Sequence, residues 1–562
     1  MQMQSTVQVM GIDAGGTMTD TFFVREDGRF VVGKAQSNPG DESLAIYNSS
    51  VDALAHWNRT VDDVYPELAT CVYSGTAMLN RILMRKGLDV GLICNRGFEQ
   101  IHSMGRALQS YLGYALEDRI HLNTHRYDEP LVPVSRTRGV AERTDVQGKI
   151  VIPLREEEVR QATRELVEAG SQAIVICLLQ SHKNETSEQR ARDIVREELK
   201  KLNSDIPVFA SVDYYPSRKE SHRMNTTILE AYGAEPSRQT LKKVSDRFKK
   251  HGAKFDLRVM ATHGGTISWK AKELARTIVS GPIGGVIGSK LLGEYLGDEN
   301  IACSDIGGTS FDVALITKGN FAIKSDPDMA RLVLSLPLVA MDSVGAGAGS
   351  FVRLDPYSKS IKLGPDSAGY RVGTCWPESG LDTVSVSDCH VVLGYLNPQN
   401  FLGGAIKLDV QRARDHIKAQ IADPLGLSVE DAAAGVIELA QHFGLRGGVA
   451  SLFTEKRAPG VNLADVTQGA RAERRPSGVL QCFQGGLFRI GIPRDTGNHA
   501  LGVGTAEQCT DQRRRQANAQ AVVLIAHRKA VIQVVVGIQR DRHCIGEQRF
   551  GTLGAKVFII KD

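Results

Sequence analysis

The sequence lacks several features that would place the chain in a special class of protein. No run of eighteen apolar residues occurs in its 562 positions, so it predicts no bilayer-spanning helix. None of its nine cysteines forms a CxxC pair, which argues against a structural zinc site or a disulfide framework and favours a reducing cytoplasm. The N-terminal residues have no apolar core behind a basic flank, so they predict a strand and no signal peptide.

The composition is that of an ordinary globular protein. Hydrophobic residues make up 42% and charged residues 23% of the chain, which excludes a disordered chain, a collagen-like repeat and a coiled coil. The length predicts about three or four domains or lobes. Glycine is abundant at 56 residues, and this abundance indicates many tight turns or ligand sites lined by backbone.

Strand and helix patterns alternate along the first part of the chain. The strand patterns cover residues 7–12, 20–26, 87–95, 173–179 and 206–213, and the helical patterns cover 155–169 and 186–201. Gly170 is the expected stop of the first helix, and Thr186 with Gln189 has the spacing of a capping box at the start of the second. Strand–helix–strand units of this length predict a parallel sheet covered by helices, and therefore an α/β fold.

A short motif occurs twice at domain-scale separation. Residues 13–20 read DAGGTMTD and residues 305–312 read DIGGTSFD, so both match the pattern D-x-G-G-T-x-x-D. A strand pattern precedes each copy and another follows it. A single copy is typical of an ordinary hairpin turn, whereas two copies in matching contexts indicate a shared function.

The residue types in this motif suit the phosphates of a nucleotide. Two adjacent glycines let the backbone approach a charged ligand without a Cβ in the way, and consecutive N–H groups can form an anion-binding nest. The hydroxyl groups add donors. An acid at the strand end would be repelled by phosphate, so it is expected to act through Mg²⁺, usually with water between them. Two such hairpins could hold a triphosphate from both sides.

Four other segments permit more than one interpretation. Residues 280–288, SGPIGGVIG, open an apolar helix, where the small residues could allow two lobes to pack closely or simply mediate helix packing. The turn at 263–265 could line a cleft or merely end a strand. The glycine-rich loop at 345–349 could reach a ligand or simply turn. The charged cluster at 218–223 is expected to be solvated or to form contacts between lobes, with a substrate-facing role as the alternative.

The paired motifs, with the glycine-rich helix before the second copy, resemble the actin–Hsp70–sugar kinase ATPase superfamily. Within it, residues 7–440 are similar to the hydantoinase A / 5-oxoprolinase family, and the linkers are most similar to the branch formed by acetone carboxylase β subunits. The segments that carry the resemblance are residues 10–24, 74–106, 261–275, 280–288, 304–316, 342–355 and 394–409.

The resemblance implies a two-lobed, ribonuclease H-like ATPase fold with inserted α/β regions, and it implies ATP and Mg²⁺ as ligands. By motif match, Asp13 and Asp305 would be catalytic and hold Mg²⁺ through water. The remaining matched residues would form two phosphate loops, the first from Gly15, Gly16, Thr17 and Thr19, and the second from Gly307, Gly308, Thr309 and Ser310.

The resemblance also implies an activity and partners. Acetone carboxylases activate acetone and bicarbonate as phosphorylated intermediates, release AMP and phosphate, and form acetoacetate. The expected partners are an α subunit that carries manganese and a small γ-like subunit, with no nucleic acid and no membrane. Two alternatives stay open: an ATP-dependent hydantoinase or 5-oxoprolinase subunit that opens a cyclic amide, and a catalytically impaired scaffold.

The C-terminal part departs from the family pattern. We divide the chain into an N-terminal hydantoinase A-like region (1–215), an ATPase region (216–440) and an atypical basic tail (441–562). The tail has 18 Lys and Arg against 9 Asp and Glu, although residues 522–527 and 531–538 have strand patterns. It contains no Gly-Gly-Ala-Gly-Pro turn for adenosine, and its nearest string is residues 482–487. We expect a tail that is out of frame, joined from elsewhere or poorly folded.

Overall fold

The computed structural model describes residues 6–38, 40–83, 85–104, 130–329, 332–442, 520–527 and 530–537. The strands are β1 Val7–Ala14, β2 Met18–Arg25, β3 Phe30–Gln36, β4 Thr70–Gly75, β5 Val90–Asn95, β6 Thr137–Val140, β7 Arg143–Thr144, β8 Ile150–Ile152, β9 Ala173–Cys177, β10 Val208–Ala210, β11 Arg258–Met260, β12 Thr266–Ser268, β13 Ile301–Ile306, β14 Phe311–Thr317, β15 Asn320–Phe321, β16 Ile323–Lys324, β17 Asp328–Met329, β18 Leu332–Val333, β19 Leu338–Val339, β20 Met341–Val344, β21 Ser350–Leu354, β22 Ile361–Ser367, β23 Gln520–His527 and β24 Ala530–Gly537.

The helices accompany these strands in an α/β arrangement. They are α1 Glu42–Ala55, α2 Val61–Val64, α3 Ala77–Leu83, α4 Ile101–Met104, α5 Glu156–Glu168, α6 Thr186–Lys201, α7 Ser211–Tyr214, α8 Glu220–Leu229, α9 Glu235–Lys250, α10 Gly281–Leu296, α11 Val386–Val392, α12 Val410–Ile417, α13 Asp423–Leu425 and α14 Val429–His442. Among the described residues, no helix combines the length and the apolar character that a membrane crossing requires.

The chain forms two compact units, and neither is one continuous stretch of sequence. Unit 1 consists of Met1–Ala69, Gly284–Ala322 and Ala340–Asp562, and unit 2 consists of Thr70–Ile283 and Ile323–Val339. A linear division of the sequence into regions therefore does not coincide with the units. Both copies of the repeated motif fall in unit 1.

Unit 1 contains two similar antiparallel arrangements. Strands β1, β2 and β3 pair in chain order, and α1 packs on β2 and β3. Strand β14 lies between β13 and β20 in the same way. On its other edge β13 pairs with β23, which pairs with β24, so both strand patterns of the tail are present as strands. A separate core joins α11, α12 and α14 through apolar residues such as Val386, Ile417 and Val436.

Unit 2 contains the predicted parallel sheet. Its strands lie in the order β10-β9-β5-β6, and every neighbouring pair is parallel. Helix α5 begins with three glutamates, which suit the positive end of its dipole, and it buries Val159, Ala162 and Leu166. It ends before Gly170, whose φ of 77° is the left-handed conformation expected of a helix stop.

Two local predictions in unit 2, one about a helix start and one about a strand end, were wrong. Helix α6 does not begin with a capping box, because Glu185 is already helical at its N-cap and the Asn184 side chain accepts the N–H of Thr186. The strand predicted at 206–213 ends at Ala210, because the buried Glu188 carboxylate accepts the N–H of Val212 and starts the short helix α7.

The charged cluster at 218–223 is not uniformly solvated. Arg223 is fully buried, and its guanidinium donates to the hydroxyl of Ser211 at 3.0 Å and to the carbonyls of Ser217 and Leu178 at 2.6 and 2.7 Å. These three bonds compensate for the removal of the charge from water. Arg223 therefore connects α8 to the strand end after β9 and to the loop before α8.

Candidate functional site

The repeated motif folds as two matching hairpins. In the first, Asp13 on β1 lies directly opposite Asp20 on β2. In the second, Asp305 on β13 lies directly opposite Asp312 on β14. The two acids of each D-x-G-G-T-x-x-D motif are therefore cross-strand neighbours. The six residues between them form the ends of the two strands and the turn that joins them.

The turns of the two hairpins have the same hydrogen bond. Gly15 donates its N–H to the carbonyl of Met18 at 3.0 Å, and Gly307 donates to the carbonyl of Ser310 at 2.9 Å. We call residues 15–18 the first turn and residues 307–310 the second turn. In the described part of the chain, the N–H groups of the two central residues of each turn make no hydrogen bond. Each turn thus presents two adjacent N–H groups that could bind an anion.

The two turns are in direct contact. A Cβ placed on Gly308 would lie 2.2 Å from the Oγ1 of Thr17, a distance at which atoms cannot pack. A side chain at this position would force Thr17 to move, so glycine suits the close approach of the two turns. The predicted pairing of the two motif copies in one site agrees with this contact.

Four carboxylates gather behind the turns. Burial first, and then the charges of Asp312, Asp13 and Asp20 in that order, together raise the pKa of Asp305 to about 7. Asp305 keeps some access to solvent while Asp13 is exposed, so an ion could approach both. Burial also raises the pKa of Asp312, although hydrogen bonds from Ser343 and Ser310 oppose that rise.

The third strand of each arrangement differs between the two copies. Lys34 on β3 lies opposite Asp20, and its Nζ contacts the two carboxylate oxygens at 2.5 and 2.6 Å. The matching position opposite Asp312 on β20 is Ser343. The first copy therefore neutralises its second acid with a lysine, and the second copy uses neutral hydroxyl groups. Sequence reasoning missed both residues, because they lie outside the motif.

Ser37, just after β3, braces the first turn. Its hydroxyl donates to the carbonyl of Gly15 at 2.7 Å, and its N–H donates to the carbonyl of Thr17 at 3.1 Å. Thr19 was expected in the first phosphate loop. It lies on β2 with its side chain fully buried, and its hydroxyl lies 3.1 Å from that of Ser37. Thr19 thus supports the turn from behind.

The other segments singled out from the sequence have varied environments. Added Cβ atoms on Gly284, Gly285 and Gly288 would meet nothing within 4 Å, so close packing does not explain these glycines. In unit 2, His263 Nδ1 accepts the N–H of Gly265 and closes its own turn.

Residues 482–487 lie outside the described residues. Within the described residues, no group of three or more His, Cys, Asp or Glu side chains is arranged to hold a metal ion directly.

Family comparison matches most of the chain. The Hydantoinase/oxoprolinase N-terminal region matches residues 9–199, and the Hydantoinase/oxoprolinase family matches residues 223–467. The second match continues past residue 440, so family-like sequence extends further than the point where we placed its end.

Individual relatives agree with the family match. The acetone carboxylase beta subunit of Xanthobacter autotrophicus is 73% identical over 77% of this chain and 60% of that protein. A nucleotide-free structure of acetone carboxylase is 67% identical with a TM-score of 0.77, and the match covers 84% of this chain and 67% of that one. A crystal structure of the ATP-dependent caprolactamase of Pseudomonas jessenii is 30% identical with a TM-score of 0.62, over 78% and 63% of the two chains.

The chain spans about three-fifths of the length of three curated relatives that it matches. The two family matches nevertheless cover both copies of the repeated motif. The chain therefore belongs to the hydantoinase/oxoprolinase family.

Proposed function

We propose that this chain is the ATP-using subunit of an acetone carboxylase-like complex. The observation that carries the proposal is the contact between the two matching turns, each with two adjacent N–H groups that make no hydrogen bond among the described residues. The 73% identity to an acetone carboxylase beta subunit supports the choice of reaction. We also propose the actin–Hsp70–sugar kinase type of ATPase fold, since two related hairpins meeting at one site suit it.

The donors around the turns fit Mg·ATP. The N–H groups of Gly16, Thr17, Gly308 and Thr309 would bind phosphate oxygens, and the Thr17 and Thr309 hydroxyls can add donors. Asp13 and Asp305 would hold Mg²⁺ through water, because hard oxygen ligands suit this ion and nearby carboxylates leave Asp305 in need of positive charge. Mg²⁺, when bound, supplies charge neutralisation for the phosphates.

The proposed chemistry uses phosphorylation to make two unreactive substrates couple. Phosphoryl transfer to the enolate oxygen of acetone traps the nucleophile, and transfer to bicarbonate creates a phosphate leaving group that releases CO₂. The chain's own part is to position the phosphates and balance their charge with the N–H groups of the turns. Carboxylation to acetoacetate would follow on an α partner that carries manganese, in a complex with a γ-like subunit.

A second candidate is the ATP-dependent opening of a cyclic amide. The 30% identity to an ATP-dependent caprolactamase favours it, because phosphorylation of an amide oxygen needs the same positioning of phosphates. A third candidate is an impaired scaffold, since the family's adenosine turn is not found in residues 441–562.

Activity of the reconstituted complex separates the candidates. The full chain, co-purified with its native partners, is incubated with ATP and Mg²⁺ and then given acetone with bicarbonate, a hydantoin or caprolactam. We expect AMP release that depends on acetone and bicarbonate, and its loss in Asp13→Asn. Nucleotide hydrolysis driven by the cyclic amides would overturn the carboxylase proposal, and absence of any Mg·ATP binding by calorimetry would support the scaffold.

We propose that the division at residues 215 and 440 reflects separate regions of the sequence, with a tail that departs from the family after its start. Resequencing the gene across residues 441–562 tests the frameshift explanation. An intact reading frame would remove that explanation.

A further inference from the structure

We propose that residues 347–349, within the Gly-Ala-Gly-Ala-Gly loop at 345–349, are a positioning element for the second turn. This proposal rests on the proposed function, because it concerns how the second turn is prepared for phosphate. Both segments belong to unit 1. From the sequence, this loop could contact a ligand or simply turn. Its hydrogen bonds to the second turn indicate a third role, which is to hold that turn in position.

The loop holds two successive carbonyl groups of the second turn. The N–H of Ala348 donates to the carbonyl of Gly307 at 3.0 Å, and the N–H of Gly349 donates to the carbonyl of Gly308 at 2.7 Å. The hydroxyl of Ser367, at the end of β22, also donates to the Gly308 carbonyl at 3.0 Å. These bonds fix the planes of two consecutive peptide units.

Fixing those planes also fixes the N–H groups that would bind phosphate. The carbonyl of Gly307 shares a peptide unit with the N–H of Gly308, and the carbonyl of Gly308 shares one with the N–H of Thr309. In a trans peptide the C=O and N–H bonds point in opposite directions. Holding both carbonyls on the loop therefore turns both N–H groups away from the loop, on one side of the second turn.

The glycines of the loop are needed at two positions and not at a third. A Cβ on Gly347 would lie 2.6 Å from the Gly307 oxygen, the Gly308 carbonyl carbon and the Thr309 nitrogen. A Cβ on Gly349 would lie 2.8 Å from the Gly308 oxygen. A Cβ on Gly345 would meet nothing within 4 Å. The close approach at 347 and 349 therefore depends on glycine, because the backbone of the second turn occupies the space.

The loop is itself held in place. The hydroxyl of Ser387, on α11, donates to the carbonyl of Ala348 at 2.9 Å, and the fully buried Ser350 accepts the N–H of Gly347 at 2.8 Å. A fixed loop can act as a template for the second turn. The first turn has the same kind of support from Ser37, which holds the carbonyls of Gly15 and Thr17.

A matched pair of substitutions tests the proposal. Gly347→Ala and Gly345→Ala add the same methyl group two residues apart, but only the first displaces the second turn. In the full chain we expect Gly347→Ala to weaken Mg·ATP binding about tenfold or more by calorimetry, and Gly345→Ala to bind like the wild type. In the complex we expect Gly347→Ala to raise the KM for ATP more than it lowers kcat, which a general loss of folded protein would not do.

Ser367→Ala serves as a second variant if Gly347→Ala does not fold. It removes one hydrogen bond to the Gly308 carbonyl without adding an atom, and we expect about fivefold weaker Mg·ATP binding. Ser358→Ala, in an exposed turn, is its control. Wild-type affinity in both Gly347→Ala and Ser367→Ala would overturn the positioning role and leave the proposed function standing. Failure of the wild-type chain to bind Mg·ATP would instead overturn the proposed function.

Discussion

The Asp305 carboxyl is expected to gain or lose its proton near neutral pH, so its effect on stability can be measured by varying the pH. Burial and three carboxylates raise its pKa to about 7, well above the ordinary value of 3.8 for an aspartate. In the metal-free protein, the folded state therefore holds this proton more tightly than the unfolded state does. The contribution of this group to stability is fully present below about pH 4 and is lost as the pH rises through 7.

Binding of Mg·ATP should have the opposite pH dependence. We expect the dissociation constant to rise as the pH falls from 8 to 6, because a protonated Asp305 no longer attracts the ion, with at most about a tenfold rise per pH unit. Asp305→Asn should bind weakly at every pH. Calorimetry across this range is the measurement, and an unchanged pH profile in Asp305→Asn would contradict the assignment.

Ser37 provides a second test at the residue scale. Ser37→Ala removes a hydrogen bond to the Gly15 carbonyl and leaves the buried Thr19 hydroxyl without this neighbour. We expect the free energy of unfolding to fall by about 1–2 kcal/mol and Mg·ATP binding to weaken about fivefold. Denaturant titration and calorimetry measure the two effects. Ser360→Ala, on an exposed turn, should change neither.

The hairpins show what sequence could and could not predict about the site. The strands on each side of the motif, the α/β class and the parallel sheet of unit 2 followed from residue patterns, because local periodicity determines them. Lys34, Ser37 and the loop at 345–349 did not, because they reach the turns through strand pairing and loop packing. Thr186 was misassigned for a related reason, since the Asn184 side chain competes for its N–H.

Arg223 anchors helix α8 to the chain segments around Leu178 and Ser217, so the stability of this region is expected to depend on it. Arg223→Met would leave the buried carbonyl of Leu178 and the partly buried carbonyl of Ser217 without their donor. We expect the free energy of unfolding to fall by about 3–5 kcal/mol, because buried polar groups lose a charged partner. Arg218→Met, at an exposed position five residues earlier, should change it by less than about 0.5 kcal/mol. Equal effects in denaturant titration would contradict the structural role.

At the scale of the whole molecule, both turns and the positioning loop belong to unit 1, although three separate stretches of sequence build that unit. We therefore expect Mg·ATP to slow amide hydrogen exchange at residues 15–18, 307–310 and 345–349. Exchange in the parallel sheet of unit 2, at β5 and β9, is expected to change less. Mass spectrometry of peptides from the full chain measures this, and protection confined to unit 2 would place the nucleotide elsewhere.

Each compact unit is built from stretches that are distant in the sequence. Residues 284–322 return to the unit that residues 1–69 begin, and residues 323–339 cross back into unit 2. Motif spacing indicates that two hairpins are related, but it carries no information about which other segments complete each unit. Only the pairing of β13 with β14 and β20 reveals that the second copy repeats the three-stranded arrangement of the first.

The exchange of Lys34 for Ser343 between two otherwise matching hairpins has a further consequence. A perfectly symmetrical pair of turns would accept a ligand in either direction with equal energy. Here one half carries an additional positive charge next to Asp20, and the other half carries a hydroxyl group next to Asp312. A ligand with unlike ends, such as a chain of phosphates with a nucleoside at one end, therefore has two inequivalent orientations. Lys34 therefore makes the two orientations of such a ligand differ in energy.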